Sequence, residues 1–399
     1  MSLRNMSLCS INCVISEQNL YIVIIMQKKY DYAIVGAGLF GATFAERVKH
    51  FNPSARILVI DKRDHIAGNC YTRREDNYDV HVYGPHIFHT SSERIWNYVN
   101  KFSKFNNFTL RTKAMYKNRI YSLPVNLMTF HQVFGVTTPS EAKKRVEYEI
   151  RAAASKGYDT TTFEGWARTQ VGDTLYEMFY DGYTRKQWGR HPNELPASIA
   201  KRLPIRFMYD DNYFNDTYQG IPVDGYTAIV DKMLRDTDVQ LNTDFFAERT
   251  LIETLANKIV YTGPIDALLN YKHGKLEYRS LKFEHSTFKG DYQGNAIINY
   301  TDVAQKWTRI VEHKHFVGST SENSIFTKEF PASYESTNEP YYPVNDTKNN
   351  DIASLYAEDA KKLSNYIVGG RLGSYRYYDM HQVIAEALTA AQKEGYYEK

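Results

Sequence analysis

The sequence predicts an α/β protein in which a dinucleotide-binding domain is interrupted by a helical bundle and an antiparallel β-sheet domain. Three observations carry this. A glycine-rich strand–turn–helix, YDYAIVGAGLFG, occupies residues 30–41. The apolar period turns helical over residues 127–188, and alternating strands fill residues 275–330.

Within the first stretch, residues 32–35 read as a buried strand and Ala42 as the start of a helix. Gly36 permits the turn off the strand, Gly38 lets a pyrophosphate approach the backbone, and Gly41 lets the helix pack close to the strand. Free N–H groups at the helix start, with the helix dipole, favour phosphate. Glycines alone also mark ordinary turns, but here the order continues. A helical run at 43–49, a turn at Asn52-Pro53 and an apolar strand at 56–60 lead to Asp61, 25 positions after Gly36. An acid there accepts hydrogen bonds from adenosine ribose hydroxyls. The reading is Rossmann-like.

A chain of 399 residues can bury a large core in two or three units. Its hydrophobic share of 43% and charged share of 24% are ordinary for a globular protein. A net charge of +3 without a single-sign run speaks against a nucleic-acid binder or a polybasic membrane anchor. The 33 Tyr and 20 Phe reflect either compositional drift or a site lined with phenols, and only position can decide. The three cysteines, Cys9, Cys13 and Cys70, form no CxxC pair, and no HExxH occurs. That predicts a reduced, cytoplasmic setting and no protein metal site. The apolar run at 20–26 is too short to span a bilayer. Glu17 and Gln18 stand where a signal peptide needs basic residues. Residues 1–28 are therefore expected to be a disordered extension or upstream translation.

Along the chain, Ala67-Gly68-Asn69 makes a second backbone-exposing turn, either a plain loop or one lying against the flavin side of a pyrophosphate. In YGPHIFHT, residues 83–90, Gly84-Pro85 suggests a rigid backbone near a ring system; core histidines are the alternative. Residues 91–108 read as a helix, and 111–123 as a hairpin turning at Asn118-Arg119. Capped helices then begin near Thr138, Thr162 and Asp173, forming a small inserted bundle. At its end Phe179 and Tyr183, four apart, are expected on one helix face. Core packing suits Phe179, whereas Tyr183 and Trp188 could stack on a base or sugar. Two prolines at 196 and 204 bracket Lys201-Arg202, a surface loop or a lid carrying Arg202 to a phosphate. The acids Asp210 and Asp211 lack the companions of an EF-hand loop. The charged strand around Arg309, Glu312, His313 and His315 fits a sheet face lining a polar pocket, or an edge strand. Ile367-Val368 reads as the last strand of the nucleotide-binding sheet.

Nine motifs in order over residues 29–390 resemble the bacterial-type UDP-galactopyranose mutases. They are YDYAIVGAGLFGA, YGPHIFHT, GYTRKQWGR, NYFNDTYQGIP, YTGPID, LEYRSLKFE, TRIVEHKHF, EPYYPVND and GGRLGSYRYYDMHQVI. The resemblance implies an FAD-binding domain of residues 29–108, 219–265 and 335–399. It also implies a bundle at 126–203 with a mobile lid near 195–207, and a sheet domain of 109–125, 204–218 and 266–334. The implied activity is interconversion of UDP-galactopyranose and UDP-galactofuranose by ring contraction. FAD is active when reduced, with NADH or NADPH as external reductant, and its N5 forms a covalent adduct to the anomeric carbon. A cytoplasmic homodimer without nucleic-acid or membrane partners is implied as well.

Site residues carry over by position. Gly36, Gly38, Phe40, Gly41, Asp61, Lys62, Gly68, Asn69, His86, Arg371, Asp379 and Met380 would hold the cofactor. Arg202 and Arg309 would clamp the diphosphate and, with His86, form the catalytic set. Tyr213, Tyr342 and Tyr377 would bond the phosphates, Tyr183 with Phe179 would meet uracil, and Trp188 would lie near the sugar. Glu329 and Asp379 match acids near the clamp and flavin. Two departures stand out: the N-terminal extension, and Asp61 where many such flavoproteins have Glu. An FAD-dependent oxidoreductase of amine-oxidase type is the alternative, predicting an apolar substrate channel. A nucleotide-binding module without chemistry predicts gaps in the site set. Two arginines with phosphate-binding tyrosines weigh against both.

Overall fold

The computed structural model describes residues 29–202, 205–335 and 338–397, with the backbone alone for 200–202. Its nucleotide-binding sheet has five strands in the order Tyr366–Val368, Ala256–Tyr261, Tyr30–Val35, Ile57–Ile60 and Asp238–Gln240. All neighbours are parallel. Both faces are covered, so the central strands read as continuous apolar runs. Ile34, Val59 and Val260 pack under the helices Leu39–Phe51, Gly225–Met233 and Met380–Lys393. Ala33, Leu58 and Ile259 pack on the other face, against Phe245 and Ile252 of the helix Phe245–Leu255.

The first helix begins at Leu39, earlier than Ala42, with Gly38 as its N-cap. Gly41 therefore lies inside the first turn, where a Cβ would sit 2.2 Å from the Gly36 carbonyl oxygen, so its close-packing role holds. The expected helix over 91–108 is shorter, Glu93–Val99. The chain beyond is drawn away because Asn106 pairs with Ile221 through backbone and side chain, each bond 2.9 Å. The hairpin turns at Lys117-Asn118, one residue before the expected position. Both residues adopt positive φ, as a two-residue turn between twisted strands requires.

The second sheet has seven strands, ordered Tyr342–Pro343, Tyr278–Lys289, Asn323–Ser333, Arg309–Glu312, Ile297–Tyr300, Lys113–Tyr116 and Arg119–Ser122. It is mixed rather than antiparallel, since Ile297–Tyr300 runs parallel to Lys113–Tyr116. The chain between these two strands runs through the bundle, two strands of the five-stranded sheet and the strand Tyr278–Lys289, ample for the crossover that a parallel pair needs. Arg309–Glu312 is an interior strand, which excludes the edge reading.

The bundle comprises the helices Leu127–Phe134, Pro139–Ala154, Phe163–Leu175 and Gly182–Trp188. Thr138 and Glu141 form a reciprocal capping box at the second, and Thr162 caps the third. Gly172 breaks the third helix at φ +78°, where a side chain would strike Glu149. A π-helical turn, Tyr176–Asp181, follows. Phe179 is 4% exposed and meets Tyr121 edge-on in the bundle core, the packing expected for it.

Candidate functional site

A cavity of about 900 Å³ opens at the carboxyl ends of the parallel strands, the general ligand site of such sheets. Gly36, Gly38, Phe40, Asp61, Lys62, Gly68, Asn69, His86, Arg371 and Met380 line it, together with Trp188. Gly41 lies behind the turn, and Asp379 is not on the wall.

Two glycines show how the cradle is cut. At Gly36, φ is +111° and a Cβ would sit 2.1 Å from Thr262 Oγ1, so the fold itself requires glycine there. Gly38 has ordinary φ, and its Cβ would meet only the Gly68 Cα, 4.0 Å away. The two backbones thus face each other across space that a side chain would fill. No side chain caps the first turn of the helix behind Gly38, which leaves its N–H donors available to a phosphate. Asp61 braces the same turn: Oδ2 accepts from the Ala37 N–H at 2.9 Å and Oδ1 from the Arg63 N–H at 3.0 Å. Lys62 Nζ pairs with Glu339 at 2.7 Å, and Arg63 reaches the same carboxylate. Burial pushes the Cys70 thiol up to about 12, so it is no nucleophile.

Beyond His86 and Arg371 lies a second assembly. Arg309 and Glu329 stand opposite each other on adjacent strands, with Nε 2.9 Å from Oε2. The Glu329 side chain is 1% exposed. Burial works against the Arg309 charge, but Glu329 and the phenols of Tyr183 and Tyr342 outweigh it and the guanidinium is held firmly protonated. Burial raises the phenols of Tyr183, Tyr213 and Tyr342, keeping them hydrogen-bond donors at neutral pH. Tyr342 stacks on Tyr377 at 5.1 Å, and the Arg371 guanidinium lies 5.3 Å from the Tyr377 ring centre. Tyr213 neighbours Arg309, Tyr377 and Asp379. Asp379 caps the last helix, its N–H donating to Gln382 Oε1 at 2.9 Å.

His86 joins the two halves. Burial, then the charges of Arg371 and Arg309, push its imidazole down to about 4, so it is neutral at pH 7. Of the residues expected in the substrate pocket, Tyr183, Tyr213, Arg309, Glu329, Tyr342 and Tyr377 come together, Trp188 lies on the cavity wall, and Phe179 does not join them. The backbone of Arg202 ends a 3₁₀ turn, Ala197–Arg202. Its side chain, like Leu203, Pro204 and the expected N-terminal extension, lies outside the described residues.

Sequence reading missed Arg279, which lines the cavity beside Trp188 and donates from Nε to the Gln187 carbonyl at 3.0 Å. A charged residue on the inward side of an alternating strand was its available signal. Two groups of candidate metal ligands occur among the described residues: His89, Asp379 and His381, and Asp291, Glu312 and His315. His89 Nδ1 is taken by Asp216 at 2.6 Å, and Glu312 accepts from three backbone N–H groups and Ser324.

The glycine cradle, with a half-buried arginine among phenols beyond His86 and Arg371, defines a dinucleotide-binding protein of Rossmann-like fold. A model of NAD(P)-binding Rossmann-like domains matches residues 34–102, and a model of UDP-galactopyranose mutase matches residues 178–377. The chain is 42% identical over 366 residues to a probable UDP-galactopyranose mutase of Klebsiella pneumoniae, covering 90% of this chain and 93% of that one. It is also 42% identical over 373 residues to a dTDP-fucopyranose mutase of Escherichia coli, covering 90% and 97%. A crystal structure of reduced UDP-galactopyranose mutase superposes with a TM-score of 0.70 at 14% identity, covering 93% and 96%, which shows the shared fold. The chain belongs to the UDP-galactopyranose mutase family, a family of isomerases.

Proposed function

We propose that this chain interconverts UDP-galactopyranose and UDP-galactofuranose with FAD in the glycine cradle. The observation that carries the reading is the convergence of Arg309, Tyr183, Tyr342 and Tyr377 beside His86 and Arg371, which share the wall of the dinucleotide cavity. The cradle fits FAD: Gly38 and Gly68 leave room for the pyrophosphate, Asp61 would meet the ribose, and Phe40, His86, Arg371 and Met380 would flank the ring system. Bound there and reduced, with NADH or NADPH as external reductant, the flavin would supply a nucleophilic nitrogen for the anomeric carbon.

The protein's share is binding and charge. Arg309 offers a fork of donors that suits a diphosphate, and its charge stabilises the departing nucleotide diphosphate as well as the bound one. Glu329 fixes that fork from behind. Tyr213, Tyr342 and Tyr377 donate to phosphate oxygens, Tyr183 offers a ring face to the base, and Arg202 supplies a second guanidinium from its proline-bracketed segment. His86, neutral at pH 7, contributes its backbone and position rather than a proton. A homodimer in the cytoplasm, and the three-part domain division, belong to this reading.

The relative acting on a dTDP-sugar, at equal identity, favours one second reading: dTDP-fucopyranose as substrate. The test is chromatography of UDP-galactofuranose and dTDP-fucofuranose after incubation with FAD-loaded protein and dithionite. Conversion of the UDP-sugar supports the proposal, and conversion of the dTDP-sugar alone supports the second reading. Failure of both with fully reduced flavin would remove the mutase assignment.

A further inference from the structure

The segment leading to His86 is hung on histidine ring nitrogens. The His86 N–H donates to His81 Nδ1 at 3.0 Å, and the His81 N–H donates to His313 Nδ1 at 3.2 Å. His313 Nε2 lies 2.7 Å from Thr327 Oγ1, which lies 2.8 Å from His285 Nδ1.

The direction of the first three bonds follows. A backbone N–H can only donate, so Nδ1 of both His81 and His313 carries no proton. A neutral imidazole bare at Nδ1 is protonated at Nε2. His313 therefore donates from Nε2 to Thr327, whose hydroxyl oxygen also bonds His285 Nδ1. Burial supports the neutral state, with His81 1% exposed and His313 fully buried. Burial, with His86 beside it, pushes His81 down to about 3. His313 is pushed well down by burial, by His81 and His285, and by Arg73. The His81 ring cannot swing: it stacks on Phe316 at 4.8 Å and meets Tyr226 edge-on at 5.8 Å.

We infer that His81 and His313 are positioning residues, holding the His86 backbone at the cofactor cavity through a one-way chain of hydrogen bonds anchored in the seven-stranded sheet. The inference rests on the proposal that FAD fills the cavity. Gly84, at φ +89°, and Pro85 set the local bend, and the ring nitrogen of His81 fixes where it stops. Removing that acceptor leaves a buried N–H unpaired and frees the segment to shift.

The test compares His81→Asn with His81→Leu in the full chain loaded with FAD. Asparagine places its amide oxygen near the position of Nδ1, while leucine has similar bulk and no acceptor. Readouts are the visible flavin spectrum, the flavin midpoint potential, and kcat and KM separately. The leucine variant should shift spectrum and potential and lower kcat about tenfold or more, with KM changed less than about threefold, as displacement near a reacting group does. Asparagine should restore most of both. Thr327→Val, which breaks the chain at its far end, should move the same readouts less, and it decides the matter together with His81→Asn if His81→Leu does not fold. An asparagine variant no better than leucine, or a wild-type spectrum and kcat in Thr327→Val, would overturn the inference. The spectral readouts need no turnover. A wild-type protein that binds flavin but converts no sugar nucleotide therefore removes the mutase reading while the histidine comparison still stands or falls alone.

Discussion

The cradle and the arginine–phenol cluster are built on opposite principles. The cradle works by what is missing: Gly38 and Gly68 face each other without side chains, and the first helical turn lacks a side-chain cap. Its determinants are conformational, and they lie close together in the chain. The cluster works by what is present. It pairs a half-buried Arg309 with a buried Glu329 and rings them with phenols from widely separated segments. Such charges cost solvation and are retained only with good partners. Loss of one region should therefore empty the site, and loss of the other should silence it.

The largest expected effect breaks the cluster alone. Arg309→Ala should lower kcat/KM by about 10²–10³, the usual cost of removing a key donor to developing negative charge. Flavin content, read by absorbance, should stay at the wild-type level. The same change leaves Glu329 buried without its partner, costing about 3–5 kcal/mol in denaturant titrations. Adding Glu329→Gln should recover stability but not turnover. Gly38→Val should do the reverse of Arg309→Ala, giving a folded protein with little bound FAD. Nothing but the Gly68 Cα lies within 4 Å of the added Cβ, so the apoprotein should melt near wild type. Gly36→Val should instead destabilise the fold itself, by more than about 1 kcal/mol, because φ is positive and Thr262 is in the way.

A pH series sharpens the comparison at the junction. His81 and His86 titrate at about 3 and about 4 in the folded chain, below the ordinary 6.5. Above pH 6.5 they are neutral folded and unfolded, and stability is unaffected. Below it the unfolded chain binds protons that the folded chain refuses, so stability falls as pH drops toward 4. Each histidine contributes a slope of about 1.4 kcal/mol per pH unit. Urea titrations at pH 7 and 5 should show the fall, and His81→Asn should flatten it by one proton. The smallest effect lies outside both regions. Thr138→Ala removes a helix cap and should cost about 1 kcal/mol in Tm-derived stability with no change in turnover.

Legibility followed the same division. The glycine spacing, Asp61 and the capping box at Thr138 and Glu141 are local patterns, and the structure keeps them. Arg309, Glu329 and Tyr342 share no local pattern that would bring them together; only resemblance to known mutases joined them in advance. Errors arose where geometry departs from ideal periods. A π-helical turn at Tyr176–Asp181 stands where the apolar period suggests regular helix. The parallel pairing of Ile297–Tyr300 with Lys113–Tyr116 depends on how the long chain between them folds back, which neither strand encodes. His81 gave no signal, because its part depends on a backbone N–H five residues away and a ring 232 residues away.

The central claim is that cradle and cluster form one site meeting at His86 and Arg371. Titrating UDP-galactose into the oxidised FAD-loaded protein while recording the flavin spectrum tests it most directly. A saturable difference spectrum in the wild type that disappears in Arg309→Ala is the predicted result. Calorimetric binding of UDP-galactose that leaves the flavin spectrum unchanged would contradict the claim.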